Sequence, residues 1–182
     1  MKLLRRTQFG NPILRTKSRR LEISEIESDR IQKLIEDMRY TLDTKKYGVG
    51  LAANQIGRDV AISVIGIKPT PTRPNLPMIN MNIINPVIVK QYGEKEQMWE
   101  GCVSFGDAKN FPYAKVPRST KIRLHYLNEK AQECEADFEG LLAQVIQHEV
   151  DHLNGILFVD RVTDPTTYIT ISEYKKRFMQ KK

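Results

Sequence analysis

The stretch LLAQVIQHEVDHLNG, residues 141–155, constrains the fold more than any other part of the chain. Leu141, Val145, His148 and His152 recur at i, i+4, i+7 and i+11, so the spacing predicts a helix over about 141–153, stopped at Gly155. Its apolar face also carries both imidazoles, which therefore point inward. One reading is a pair of hydrogen-bonded core histidines. The other is a metal site, because His148-Glu149-x-x-His152 presents two imidazoles to one ion with a carboxylate beside them. The chain has three histidines and two share this face, which favours the metal.

Glu149 favours a catalytic site over a structural one. A closed structural zinc site takes four protein ligands and has no use for an adjacent base. A catalytic site leaves a position for water of lowered pKa, whose proton a neighbouring carboxylate can carry to a leaving group. Two ligands do not complete such a site. A third histidine six residues after His152 would make a metzincin pattern, and Gly155 fits it, but position 158 is Phe, so that class is excluded. A thermolysin-like arrangement would use Glu173, 21 residues after His152. Cys102, in WEGCVSFG, is the remaining candidate, although a free cysteine is also at home as a small buried hydrophobe. Spacing ranks Cys102 ahead of Glu173 without choosing between them.

At 182 residues the chain suits one domain, 1–182, and shows no repeat or low-complexity linker. No apolar run approaches the roughly 18 residues of a membrane span, so no membrane crossing is expected. Cys102 and Cys134 lie 32 positions apart; with no secretory signal before them, reduced thiols are the expectation. The net charge of +7 is concentrated at the ends. Residues 1–21 hold seven Lys or Arg and no acid, as a transit peptide would, but the turn residues Gly10-Asn11-Pro12 and the scarcity of Ser argue against one. The tail EYKKRFMQKK reads as a solvated last helix; contact with RNA or another polyanion rests on charge alone, with no RNA-binding motif behind it.

Ser24 and Glu27 have capping-box spacing, and Ile31, Leu34, Ile35, Met38 and Leu42 continue an amphipathic helix over about 25–44. Segments 59–67 and 78–90 read as strands, separated by the proline-rich loop KPTPTRPNLP. Segments 121–127 and 133–139 flank the turn NEKAQ as a hairpin; His125 lies in the first and is set aside as a ligand. Asp164-Pro165 starts a third helix running into the tail. Central strands with flanking helices indicate an α+β class.

Three segments in order, GVGLAANQIG (48–57), EGCVS (100–104) and QHEVDHLNG (147–155), resemble the signature motifs of the peptide deformylase family, and GNPILR and ILFVDR resemble its flanking segments. The resemblance implies antiparallel sheets around a central metal-binding helix, with a C-terminal helix. It implies that Cys102, His148 and His152 bind one divalent metal, Fe(II) by family habit, with zinc or nickel able to occupy the site. The implied reaction is removal of the N-formyl group from the starting methionine of new proteins, releasing formate. Water at the metal attacks the formyl carbon, Glu149 acts as general base and then acid, and Gln55 with the Val103 backbone N–H stabilises the oxyanion. Gly50 would pair with the extended substrate; Val49, Leu141 and Val145 would line the methionine pocket, with Glu100 also among the substrate-binding residues. Implied partners are N-formylmethionyl nascent peptides in the cytoplasm and, through the basic tail, the ribosome; no membrane and no sequence-specific nucleic acid are expected. Three departures stand out: Asn54 replaces a common proline, Val103 a common leucine, and FGDAKNFPYAKVPR (105–118) leaves the usual pattern, so peptide preference does not transfer.

Two rivals remain open on the residues alone. One is a metallopeptidase with Glu173 as third ligand. The other is a basic RNA- or ribosome-binding module with a structural metal.

Overall fold

The run Ile62–Ile67 is buried at each of its six positions because a helix packs on each face of the strand it forms. The computed structural model describes residues 1–44, 48–70, 74–106 and 111–179. Parts of the proline-rich loop (71–73), of the divergent segment (107–110) and of the tail (180–182) lie outside them.

After a 3-10 turn at Pro12–Arg15 come the one-turn helix α1 (Ile23–Ile26) and the long helix α2 (Asp29–Thr44). Strands β1 (Gly50–Ala52), β2 (Ile62–Ile67), β3 (Ile79–Gly101), β4 (Pro112–Leu127) and β5 (Glu133–Glu139) follow, then helix α3 (Gly140–Leu153). The chain ends through α4 (Phe158–Arg161), β6 (Ile169–Thr170) and α5 (Ile171–Tyr174). Among the described residues the six strands form one antiparallel sheet in the order β1-β2-β3-β4-β5, with β6 added to β4. Alternation along β2 divides the core. Ile62 and Val64 join Ile31, Ile35 and Met38 of α2. Ile65 and Ile67 join Ala143, Val145 and Ile146 of α3. The architecture is α+β, as the mixture of periods implied.

Several elements differ from their sequence expectation. The helix expected over 25–44 is broken at Ser28, whose hydroxyl accepts from the Ile31 N–H (3.4 Å) and donates to the Glu25 carbonyl (2.5 Å). The cap does not use Ser24 and Glu27; the Glu25 carboxylate accepts from the Glu22 N–H at 3.0 Å. The strand expected at 78–90 runs on to Gly101, and that at 121–127 begins at Pro112. Their extra halves pair with each other from Lys95↔Ser119 to Gly101↔Tyr113, across a register shift near Gly93, which has φ +66°. Residues Gly93–Gln97 are solvent-exposed, so their sequence lacks the alternation that marks a half-buried strand. In place of a long third helix, Asp164 caps a single turn by accepting from the Thr166 N–H at 2.9 Å. Thr170 then sits in β6 against Pro112, and helical structure resumes only at Ile171.

The end of α3 is as expected at Gly155. Its φ is +73°, its N–H bonds the His152 carbonyl (3.0 Å) and the Ile156 N–H bonds the Asp151 carbonyl (2.9 Å). This double bond pattern at a left-handed residue satisfies carbonyls the helix would otherwise leave open. It also locks the turn that carries His152.

Candidate metal centre and active site

Helix α3 delivers His148 and His152 one turn apart, their rings 4.9 Å between centres and nearly perpendicular. Cys102 follows directly after β3 and is buried at 2% exposure. Ligand atoms of Cys102, His148 and His152 all lie within 4.8 Å of one another, and the Cys102 Sγ is 3.2 Å from His152 Nε2. Donors on a tetrahedral ion with bonds of about 2.0–2.3 Å sit roughly 3.3–3.7 Å apart, so the three need little adjustment to hold one. Burial opposes ionisation of the Cys102 thiol, yet His152 and His148 outweigh it and hold its pKa well below the usual range. A thiolate with two imidazoles suits a borderline-soft divalent cation.

An ion-paired network fixes the orientation of the imidazoles. Glu100 Oε2 lies 3.0 Å from His148 Nδ1, which turns Nε2 towards the other donors. The same carboxylate takes two bonds from Arg118, 2.8 and 3.0 Å, and Arg118 also donates to Asp151 at 2.6 Å. Arg161 adds 2.7 and 3.1 Å contacts to Asp151. Burial works against the ionised Glu100, but His148 and Arg118 hold its pKa down at about 2. Glu100 was expected to bind substrate; it borders the cleft, but its two oxygens are committed to Arg118 and His148.

Cys102, His148 and Glu149 line a cleft of ≈ 680 Å³, as do Val49, Gly50, Gln55, Val103, Leu141 and Val145. Glu149 is 3% exposed, and burial above all pushes its pKa up to about 7 while His148 and His152 pull it down. Its Oε2 finds no hydrogen-bond partner among the described residues. A Cβ at Gly50 would overlap Glu149 Oε1 and come within 2.7 Å of Cδ, so glycine alone lets this backbone and carboxylate lie together. Gln55 accepts from the Ala52 N–H through Oε1 (2.8 Å), so its amide nitrogen faces Cys102 Sγ (3.3 Å) and Ser104 Oγ (3.2 Å). The Val103 carbonyl accepts from Arg6 at 2.9 Å, which sets its peptide plane.

Other candidates lie elsewhere. Glu173 faces Arg177 (3.3 Å) and Lys176 (3.8 Å) and is outside the converging group, which removes the thermolysin-like ligand set. His125 pairs with Val87 and Glu135 inside the sheet. Cys102 and Cys134 are both free thiols. Asn54, in place of a common proline, donates to the His152 carbonyl and so braces the end of α3. Arg118, Asp151, Arg161, Arg6 and Ser104 were not singled out from the sequence. Asp151 had a signal, lying between the two histidines, whereas Arg118 sits in the divergent segment and meets Glu100 only through the β3–β4 ribbon.

The chain matches the family model described as Polypeptide deformylase over residues 4–168. It is 34% identical to "Peptide deformylase 2" of Nostoc sp. over 170 residues, covering 93% of this chain and 91% of the relative. It is 40% identical to "Peptide deformylase" of Leptospira biflexa over 157 residues, 85% of each chain. Among solved structures it resembles a Met-Ala-Ser-bound class I type b peptide deformylase from Acinetobacter baumannii, with a TM-score of 0.80, 31% identity and coverage of 88% of this chain and 98% of that one. A peptide deformylase from Thermotoga maritima aligns with a TM-score of 0.74 and 32% identity over 90% of this chain and 100% of that one. With a family match across most of its length and relatives aligned nearly end to end, this chain belongs to the polypeptide deformylase family of hydrolases.

Proposed function

We propose that the protein, acting as one catalytic domain, hydrolyses the N-formyl group from the formyl-methionine that begins new proteins. The balance is one formamide and one water consumed, one free amine and one formate released. The observation that carries this reading is the convergence of Cys102, His148 and His152, with Cys102, His148, Glu149 and Gln55 all lining one cleft.

A divalent cation held by Cys102, His148 and His152 would supply Lewis acidity and lower the pKa of a water beside it. We take Fe(II) as the native ion, with zinc or nickel able to replace it. Glu149 accepts the proton of the attacking water and returns it to the departing amine nitrogen; its burial, which favours the protonated form, suits it to both transfers. Gln55 Nε2 and the Val103 N–H donate to the oxygen that gains charge as the carbonyl carbon becomes tetrahedral. Gly50 offers its backbone to the extended peptide, in the manner of an added strand. Val49, Leu141 and Val145 take the methionine side chain, and Glu100 orients His148. No helix among the described residues is long and apolar enough to cross a membrane. We place the activity in the cytoplasm, and assign the basic tail a ribosome contact; unchanged cosedimentation with ribosomes after Lys176→Glu and Arg177→Glu would remove that contact.

Formate release from a formyl-methionyl peptide, followed with anaerobically purified protein, tests the proposal. Glu149→Ala should lower kcat by about 10²–10⁴-fold with the metal retained, because a proton carrier is lost. Cys102→Ser should lose both metal and activity. Absence of formate release by metal-replete wild type would overturn the assignment.

A further inference from the structure

The cleft continues well beyond the metal donors. Its ≈ 680 Å³ corresponds to roughly twenty water volumes at about 30 Å³ each, far more than one formyl-methionine fills. Part of its wall is built by the C-terminal segment, through Ile171, Tyr174, Lys175 and Met179. Strand β6 pairs with Pro112 and Tyr113, the Ile171 N–H bonds the Phe111 carbonyl (3.1 Å), and Thr167 Oγ1 accepts from the Lys115 N–H (3.1 Å). These bonds tie the segment to the start of β4, opposite the last residues of β3.

At that place four aromatic rings meet. Tyr174 stacks on Tyr113 (5.0 Å, 30°) and meets Trp99 edge-on (5.3 Å); Phe178 stands 5.4 Å from Trp99 and 5.3 Å from Tyr174. Were this only a packing seam, the rings would be closed off from the cleft. Instead Trp99, Tyr113, Tyr174, Lys175 and Met179 all line it. Residues Met98–Gly101 pair with β4 on one edge, and no strand among the described residues pairs with the other.

We infer that Ile171–Met179 forms the downstream wall of the peptide cleft, where Trp99 and Tyr174 receive an apolar side chain from the third residue of the formylated peptide and Lys175 selects acidic over basic side chains there. The inference rests on the proposed deformylation. Aromatic rings held by one another offer large apolar area at small entropic cost. The exposed ammonium of Lys175 at the same wall supplies the charge selection.

The test compares kcat/KM on formyl-Met amide, formyl-Met-Ala-Phe, formyl-Met-Ala-Asp and formyl-Met-Ala-Lys, using metal-replete full-length protein. In Tyr174→Ala the ratio of the Phe peptide to formyl-Met amide should fall about three- to tenfold. In Lys175→Glu, a surface change that leaves the ring cluster in place, the Asp-over-Lys preference should shift about two- to fivefold towards Lys. Ratios identical in wild type and both variants would overturn the inference while leaving deformylation standing. Failure of wild type to release formate from any of the four would overturn the deformylation reading and this inference with it.

Discussion

Arg118 sits with a side chain only 5% exposed, held by two carboxylates that are buried with it. A charge in that position is tolerated because each guanidinium edge is matched, two bonds to Glu100 and one to Asp151. Removing the guanidinium leaves buried Glu100 with His148 alone and Asp151 with Arg161 alone. Arg118→Met should therefore destabilise the protein by about 3–5 kcal/mol, measured by urea unfolding. Lysine should not rescue it, since a point charge cannot make the fork; a stable Arg118→Lys would contradict this account. Glu100→Gln keeps the shape but weakens the hold on His148 Nδ1. Metal affinity, read by competition with a chelator, should fall about 10–100-fold. Glu100 stood out in the sequence because it lies within EGCVS. Its true commitments did not, because Arg118 is 18 residues away and reaches it only when β3 and β4 pair.

At the scale of elements, the legible segments were those with a clean period and a local stop. Strand β5 occupies 133–139, as the hairpin about the NEKAQ turn implied, and α3 occupies 140–153. The break between α1 and α2 was not legible, because Ser28 and Glu25 compete with Ser24 and Glu27 for the same capping role. The Glu25 carboxyl is held at about 2, against an ordinary 4.5, by hydrogen bonds from Arg19 first and then from the Glu22 N–H. A pKa lowered on folding gives a stabilisation that is complete above about 4.5 and disappears as pH falls towards 2. Glu25→Gln should thus melt below wild type at pH 6 and together with it at pH 2, with the gap narrowing in high salt. Equal gaps at both pH values would show that the carboxyl's ionisation plays no part.

Across the whole molecule, α2 and α3 are coupled through the two faces of β2. Met38, fully buried on the α2 face, should cost about 2–5 kcal/mol when cut to alanine, visible in denaturant unfolding of the entire chain and not of α2 alone. The candidate donors Cys102, His148 and His152 join the end of β3 to α3, so an ion bound by them would tie the ribbon to the helix. At 100 to 1,000 times its dissociation constant it should add about 3–4 kcal/mol to stability, and chelation should lower Tm accordingly. Cys102→Ser should flatten that response. Periodicity, turn conformation and motif are local properties of the chain, so the inward-facing helix with His148 and His152, its stop at Gly155, and the three family motifs are readable from residue order alone. It takes the folded chain to bring Cys102 to both histidines, turn the Gln55 amide nitrogen towards the thiol, set Arg118 on Glu100 and place Tyr174 in the cleft wall. Those contacts join residues 46 to 50 positions apart at the thiol and depend on the register of β3 with β4 and on β6 closing against Pro112. Register across a sheet is settled by what the two faces bury together, and no single segment contains that information.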